Sequence, residues 1–277
     1  MNNFELLSHD FDTLCKLQDT PGIPNIHSLN INEINFESTL QNFGTPLQNA
    51  FIDCQNKFST KTVLKLATQL LNLLENIHKL GLVCGSLDIN NLSIQMNDPN
   101  HVVFLTDFKQ NGSSMFTSCE YDSRETLHPK SDLESLGYLA IYLLKGELPW
   151  EKLYKDSVVE PTYLANAQEV KSSASLKELW YGLPIEILLY MRYVDKLNKN
   201  SMPDFKTLKS LFLEKLNDQN ANSACFQYDW QIDHLDDSED MSWKLNKSIS
   251  SMSSFDPMAA RVIDYQISEF KKVYDKK

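Results

Sequence analysis

Ser131-Asp132-Leu133-Glu134-Ser135-Leu136-Gly137-Tyr138-Leu139-Ala140-Ile141-Tyr142-Leu143-Leu144-Lys145-Gly146-Glu147-Leu148-Pro149-Trp150 is the stretch that decides the fold of this chain. Ser131, with Glu134 three residues on, has the spacing of a capping box, in which each side chain satisfies the other residue's free backbone N–H. Leu133, Leu136, Leu139, Ala140, Leu143 and Leu144 recur at helical spacing, and Gly146 stands where a left-handed C-cap is needed. With Ile141 and Tyr142 the helix is apolar nearly all round, the pattern of a helix buried inside a sizeable domain. By pattern alone this is a core helix, and no function follows from it.

Working outward, Thr60 is placed to cap a second helix over residues 60–80. Val63, Leu64, Ala67, Leu70, Leu71, Leu74 and Ile77 draw its apolar stripe, which ends at Gly81. Upstream, Pro21-Gly22-Ile23-Pro24 marks a tight connection, and the alternating stretches 26–31 and 34–40 read as a strand pair. After Gly81 come a loop and the short apolar run Val102-Val103-Phe104-Leu105, just before Asp107. Helical patterns resume over 162–170, 175–181, 184–197 and 205–217. From residue 231 the character changes: Asp233, Asp236, Asp237, Glu239 and Asp240 crowd together, and a serine-rich run follows. That reads as a solvated linker. It leads to an amphipathic helix over roughly 257–273, either packed on its own domain or docking a partner.

Composition narrows the function classes. A net charge of −11 and a pI near 5.0 argue against nucleic acid or an anionic membrane as main partner, because both call for a basic surface. The five cysteines (Cys15, Cys54, Cys84, Cys119, Cys225) form no C-x-x-C pair, which suits reduced thiols in the cytosol or nucleus. The expected location is intracellular, cytoplasmic or cytoskeletal with the nucleus left open, and no residue points to the cytoskeleton. No run of eighteen apolar residues is present to span a membrane, and the opening Met1-Asn2-Asn3-Phe4-Glu5 does not read as a secretory leader. The six histidines show no pair at metal-ligand spacing, so neither a metal nor another cofactor is expected.

Asp132-Leu133-Glu134-Ser135-Leu136-Gly137-Tyr138 and the following Leu148-Pro149-Trp150 closely resemble the central buried helix of the casein kinase 1 family of protein kinases. Further matches run in the family's order. They are Gly22-Ile23-Pro24, the segment from Phe58 to Leu64, Tyr121 with Ser123, Pro203-Asp204-Phe205, and Tyr228-Asp229-Trp230. The resemblance spans residues 9 to 230. It implies an α+β, mainly α, protein-kinase-like fold with an intact helical C-lobe and a truncated N-lobe. The expected divisions are 1–58 (residual N-lobe and hinge), 59–230 (C-lobe) and 231–277 (linker and terminal helix). Ser131, Asp132, Glu134, Gly137, Trp150 and Trp230 are its structural markers, and Asp132 matches the buried aspartate that steadies the catalytic loop.

Active kinases carry His-Arg-Asp, then a lysine and an asparagine, in that loop. The matching residues here are Cys84-Gly85-Ser86-Leu87-Asp88-Ile89-Asn90-Asn91. Ser86 stands at the base position and Asp88 at the lysine position, where a carboxylate repels phosphate. Asn91 and Asp107 match the family's two magnesium ligands, as vestiges that hydrogen-bond loop backbone, and Lys109 replaces the following glycine. The eight residues before the resemblance carry neither a glycine-rich loop nor a strand lysine. The stretch between Asp107 and Asp132 corresponds to the activation segment and substrate site, shortened, and of the basic residues around the substrate site Arg124 and Lys130 remain.

These departures set the expectation of a pseudokinase without enzyme activity, serving as an interaction or scaffold subunit with protein partners in a larger assembly. The alternatives are a regulator of an active casein kinase 1-like enzyme and a weak serine/threonine kinase. Without the full N-lobe, apolar side chains around the 60–80 helix and the catalytic loop should be exposed unless the C-terminal helix covers them in cis or, the favoured case, a partner covers them in trans.

Overall fold

The computed structural model describes residues 16–23, 26–31, 36–40, 44–85, 87–95, 103–106, 114–119, 127–155, 169–171, 179, 181–220 and 227–231. The chain divides into two units, residues 1–231 and 232–277. The linker and terminal helix read from the sequence lie outside the described residues, as do Tyr121, Ser123 and most of the patterns at 162–170 and 175–181. Strands β1 (Ile26–Ile31) and β2 (Phe36–Leu40) form an antiparallel pair, with Ile31 opposite Phe36. A three-stranded antiparallel sheet joins β3 (Thr45–Pro46), β4 (Leu92–Ile94) and β5 (Val103–Leu105) in that order. The helices are α1 (Leu47–Asp53), α2 (Thr60–Lys79), α3 (Pro129–Lys145), α4 (Glu151–Lys155), α5 (Ile185–Lys196) and α6 (Phe205–Asn220). This is an α+β, mainly helical, kinase-like fold.

The turn ahead of β1 follows from its residues. Ile23 N donates to Thr20 O at 3.0 Å, and Gly22 takes φ 89° after Pro21, a combination that fits proline then glycine at the two central positions of a type II turn. Gly22 O accepts from Leu105 N at 2.9 Å, which fastens this turn to β5.

Helix α3 is the centre of the lobe. Thirteen of its residues are buried, from Ser131 to Leu144, and it packs against α2 and α5. Its start differs from the capping-box expectation. The helix begins three residues earlier, because Pro129 presets the first helical φ and lacks an N–H to satisfy, and His128 is the N-cap. Ser131 N donates to His128 O at 2.9 Å, and the Glu134 carboxylate is engaged elsewhere. The C-terminus matches the sequence: Gly146 takes φ 87°, and its N–H bonds Tyr142 O at 2.7 Å. A Cβ there would stand 2.7 Å from Asn56 O, so glycine meets both a backbone and a packing requirement. At Gly137 the missing side chain leaves room for the Met191 thioether of α5.

Helix α2 is capped by Ser59 rather than Thr60, with Ser59 Oγ accepting from Thr62 N at 3.3 Å. Its stripe is buried, and the expected exposure is not found along it. Helices α3 and α6 and strand β5 cover it, leaving Leu80, just past its end, 48% exposed. Asp204, ahead of α6, accepts from Thr207 N (3.0 Å) and Thr207 Oγ1 (2.7 Å). The hydroxyl bond and then the N–H bond hold its carboxyl below its ordinary 3.8. A lowered pKa stabilises the fold when the group is ionised. Asp204→Ala is therefore expected to cost about 0.5–2 kcal/mol at neutral pH. The gap from the native chain should close as the pH falls through the native pKa, read from denaturation midpoints across an acid series. A gap that stays constant would remove the cap from the account.

Candidate functional site

The site begins where α2 ends. His78, in its last turn, and Asp132, in the first turn of α3, are both fully buried, with His78 Nε2 2.7 Å from Asp132 Oδ2. The same carboxylate takes the main chain of the loop: Cys84 N donates to Oδ2 at 2.9 Å and Gly85 N to Oδ1 at 2.7 Å. One turn on, Ser135 Oγ accepts from Leu87 N at 2.8 Å and donates to Leu87 O at 3.5 Å. Asp132 and Ser135, three apart on one helix face, thus hold the loop on both sides of position 86. Among the described residues His78 Nδ1 is buried without a hydrogen-bond partner, which places a ring proton on Nε2, donating to Asp132. The chain reverses at Gly85 with φ 85°, a conformation open to glycine.

Beyond that grip the loop is tied locally. Asp88 Oδ1 accepts from Asn90 N (2.9 Å) and Asn90 Nδ2 (2.8 Å), capping a single 3-10 turn over Ile89–Asn91. Asn91 O accepts from Thr106 N (2.8 Å) and Thr106 Oγ1 (3.0 Å), so the loop is fixed to the residue before Asp107. Ser86, Asp107 and Lys109 lie outside the described residues. Burial, and then the Asp132 charge, push the Cys84 thiol well above its ordinary value, which makes it a packing residue rather than a nucleophile.

The remaining markers form two further groups. Glu134 Oε1 accepts from Cys119 N (3.0 Å) and Tyr138 OH (2.6 Å). Trp150, fully buried, donates its Nε1–H to Met115 O at 2.7 Å, and its ring lies 4.9 Å from Tyr138. Trp230 stacks on Tyr228 at 4.6 Å and meets Phe58 edge-on at 5.4 Å. Between these two rings in sequence, Asp229 accepts from both Ser59 N and Ser59 Oγ. The sequence reading missed His78 and Ser135. Ser135 was findable, since it follows Asp132 by one turn in the quoted stretch. Among the described residues no group of three His, Cys, Asp or Glu side chains could hold a metal ion, and no helix is long and apolar enough to cross a membrane.

Comparison with known proteins finds relatives of one kind. No family model matches the chain. It is 26% identical over 264 residues to casein kinase I homolog 1 of Saccharomyces cerevisiae, covering 87% of this chain and 48% of that protein. It is 28% identical over 249 residues to casein kinase I homolog 2 of Schizosaccharomyces pombe, covering 82% and 57%. A casein kinase I homologue of Encephalitozoon cuniculi is 29% identical over 208 residues, covering 68% and 67%. The chain spans about half the length of the yeast relatives. These relatives overturn the expectation that the chain is not an enzyme. All are named as casein kinase I homologues, which points to an enzyme, and substituted loop residues do not by themselves make a pseudokinase. Together with the mainly helical kinase-like fold, the alignments support a casein kinase 1-like protein of the protein-kinase family.

Proposed function

We propose that the chain works in protein phosphorylation of the casein kinase I type, as a kinase-like lobe that engages protein partners within a larger assembly. The observation that carries this reading is the buried grip of Asp132, His78 and Ser135 on the loop that holds Ser86. Fixing a loop by bonds from its main chain to a core helix serves a surface where another molecule is positioned. In the phosphotransfer reading, Asn91 and Asp107 would hold magnesium, which would supply positive charge against the nucleotide phosphates. The Ser86 hydroxyl does not serve as a general base near neutral pH, so a rate about 10²–10⁴-fold below that of a loop with a carboxylate base is expected.

The test is phosphoryl transfer from ATP to a protein substrate by the purified chain. The expected result is slow, magnesium-dependent transfer that Asp107→Asn abolishes. Transfer that survives this substitution, or none at all, would overturn the phosphotransfer reading. Gentle purification of the tagged native chain tests the assembly: stoichiometric protein partners are expected, and a chain recovered alone would remove that part. An active casein kinase I-like enzyme recovered one-to-one would make the chain its regulator.

A further inference from the structure

Lys171 is buried, 5% exposed, and its ammonium sits among rings. Nζ lies 5.7, 5.6 and 5.3 Å from the ring centroids of Tyr138, Trp150 and Tyr154. It donates to Thr117 O at 2.7 Å and Tyr154 OH at 3.1 Å, and stands 3.5 Å from Thr117 Oγ1. A cation taken out of water at this cost is held in place by the groups that replace its hydration: here a carbonyl, two hydroxyls and three aromatic faces.

Thr117 is the middle of three anchored positions. Met115 O accepts from Trp150 Nε1, Thr117 O from Lys171 Nζ, and Cys119 N donates to Glu134 Oε1. Alternate residues of one short stretch, which turns at Met115–Phe116 with Thr117 N on Ser114 O at 3.0 Å, are therefore pinned by their main chain, each from a different part of the chain. All three anchors converge on Tyr138, whose hydroxyl bonds Glu134, whose ring lies under Lys171 and whose ring centroid is 4.9 Å from that of Trp150. The same region of α3 supplies Asp132 and Ser135 to the loop and Glu134 to Cys119, so one helix indexes both segments.

The geometry points to Lys171 as a positioning residue that fixes the main chain of residues 114–119 relative to loop 84–91, and so sets how a protein substrate is held there. This rests on the function proposed above and on the resemblance, by which the stretch between Asp107 and Asp132 corresponds to the activation segment and substrate site. Lys171 touches no reacting atom in this scheme. It acts through Thr117.

The test compares the full chain with Lys171→Met and Lys171→Arg, by amide hydrogen exchange and by steady-state phosphotransfer to a protein substrate. In Lys171→Met, exchange in a peptide covering 115–119 is expected to rise about tenfold, with α3 peptides unchanged within about twofold. KM for the protein substrate is expected to rise about fivefold, with kcat within about twofold. Lys171→Arg keeps the cation and should recover most of both effects. Unchanged exchange at 115–119 overturns the assignment, as does exchange that rises equally in α3, the mark of a simple core residue. Faster exchange with an unchanged KM also overturns it. A wild-type chain without transfer sinks the proposed function, while the exchange comparison still decides the positioning. If Lys171→Met does not fold, Tyr154→Phe removes one oxygen partner and should raise exchange at 115–119 about two- to threefold; no rise overturns the assignment.

Discussion

Asp132→Ala is expected to destabilise the lobe by about 3–5 kcal/mol, since it removes one member of a buried ionic and hydrogen-bonded group and strands the others. Three donors depend on that carboxylate: His78 Nε2, Cys84 N and Gly85 N. None gains water in exchange, because His78, Cys84 and Gly85 are buried, and a stranded buried donor costs about 1–3 kcal/mol. The melting temperature should fall by about 10 °C, at about 2–4 °C per kcal/mol for a domain of this size. Asp132→Asn separates charge from shape. Its amide oxygen still accepts from one loop N–H while its NH2 faces the other donors, so a smaller but clear loss is expected. A melting curve unchanged in both variants would mean the loop is held by other contacts.

The second large effect is on rate. Ser86→Asp combined with Asp88→Lys is expected to raise phosphotransfer by about 10²-fold or more, by supplying a carboxylate base and reversing the sign of the charge beside the phosphates. The local structure tolerates the exchange at Asp88 at modest cost. What is lost is the cap of one 3-10 turn, where Asp88 accepts from Asn90, while Asn91 N keeps its bond to Asp88 O. The measurement is the initial rate with magnesium and ATP against the parent chain. A double variant that folds, by its melting curve, yet transfers no faster would show that positions 86 and 88 do not limit the reaction.

What the sequence discloses depends on how far each interaction reaches along the chain. The interior of α3 and its Gly146 C-cap rest on local periodicity and on one backbone conformation, and both are read correctly. The N-termini are harder, because competing caps lie side by side. Pro129 starts α3 ahead of Ser131, and Ser59 rather than Thr60 accepts from Thr62. Residues of the loop itself are legible through family motifs, but their supports are not. His78 meets Asp132 across 54 positions, and Lys171 meets Thr117 across the same separation. No spacing rule connects such pairs; burial of a polar group that must find a partner is what brings them together. Glu134 illustrates the reverse case, where a local pattern suggested a cap and a distant N–H, that of Cys119, took the carboxylate.

The bond between Asp229 and Ser59 bears on how the chain comes to be made. Its two ends lie 170 residues apart. On the ribosome, the start of α2 waits for residue 229 to emerge before its capping serine acquires this carboxylate. Closing so long a loop carries an entropic cost that short-range contacts do not. The lobe is therefore a unit that finishes late: its earliest long helix is sealed by nearly its last described residues, and biogenesis, rather than equilibrium stability alone, has a stake in Tyr228, Asp229 and Trp230.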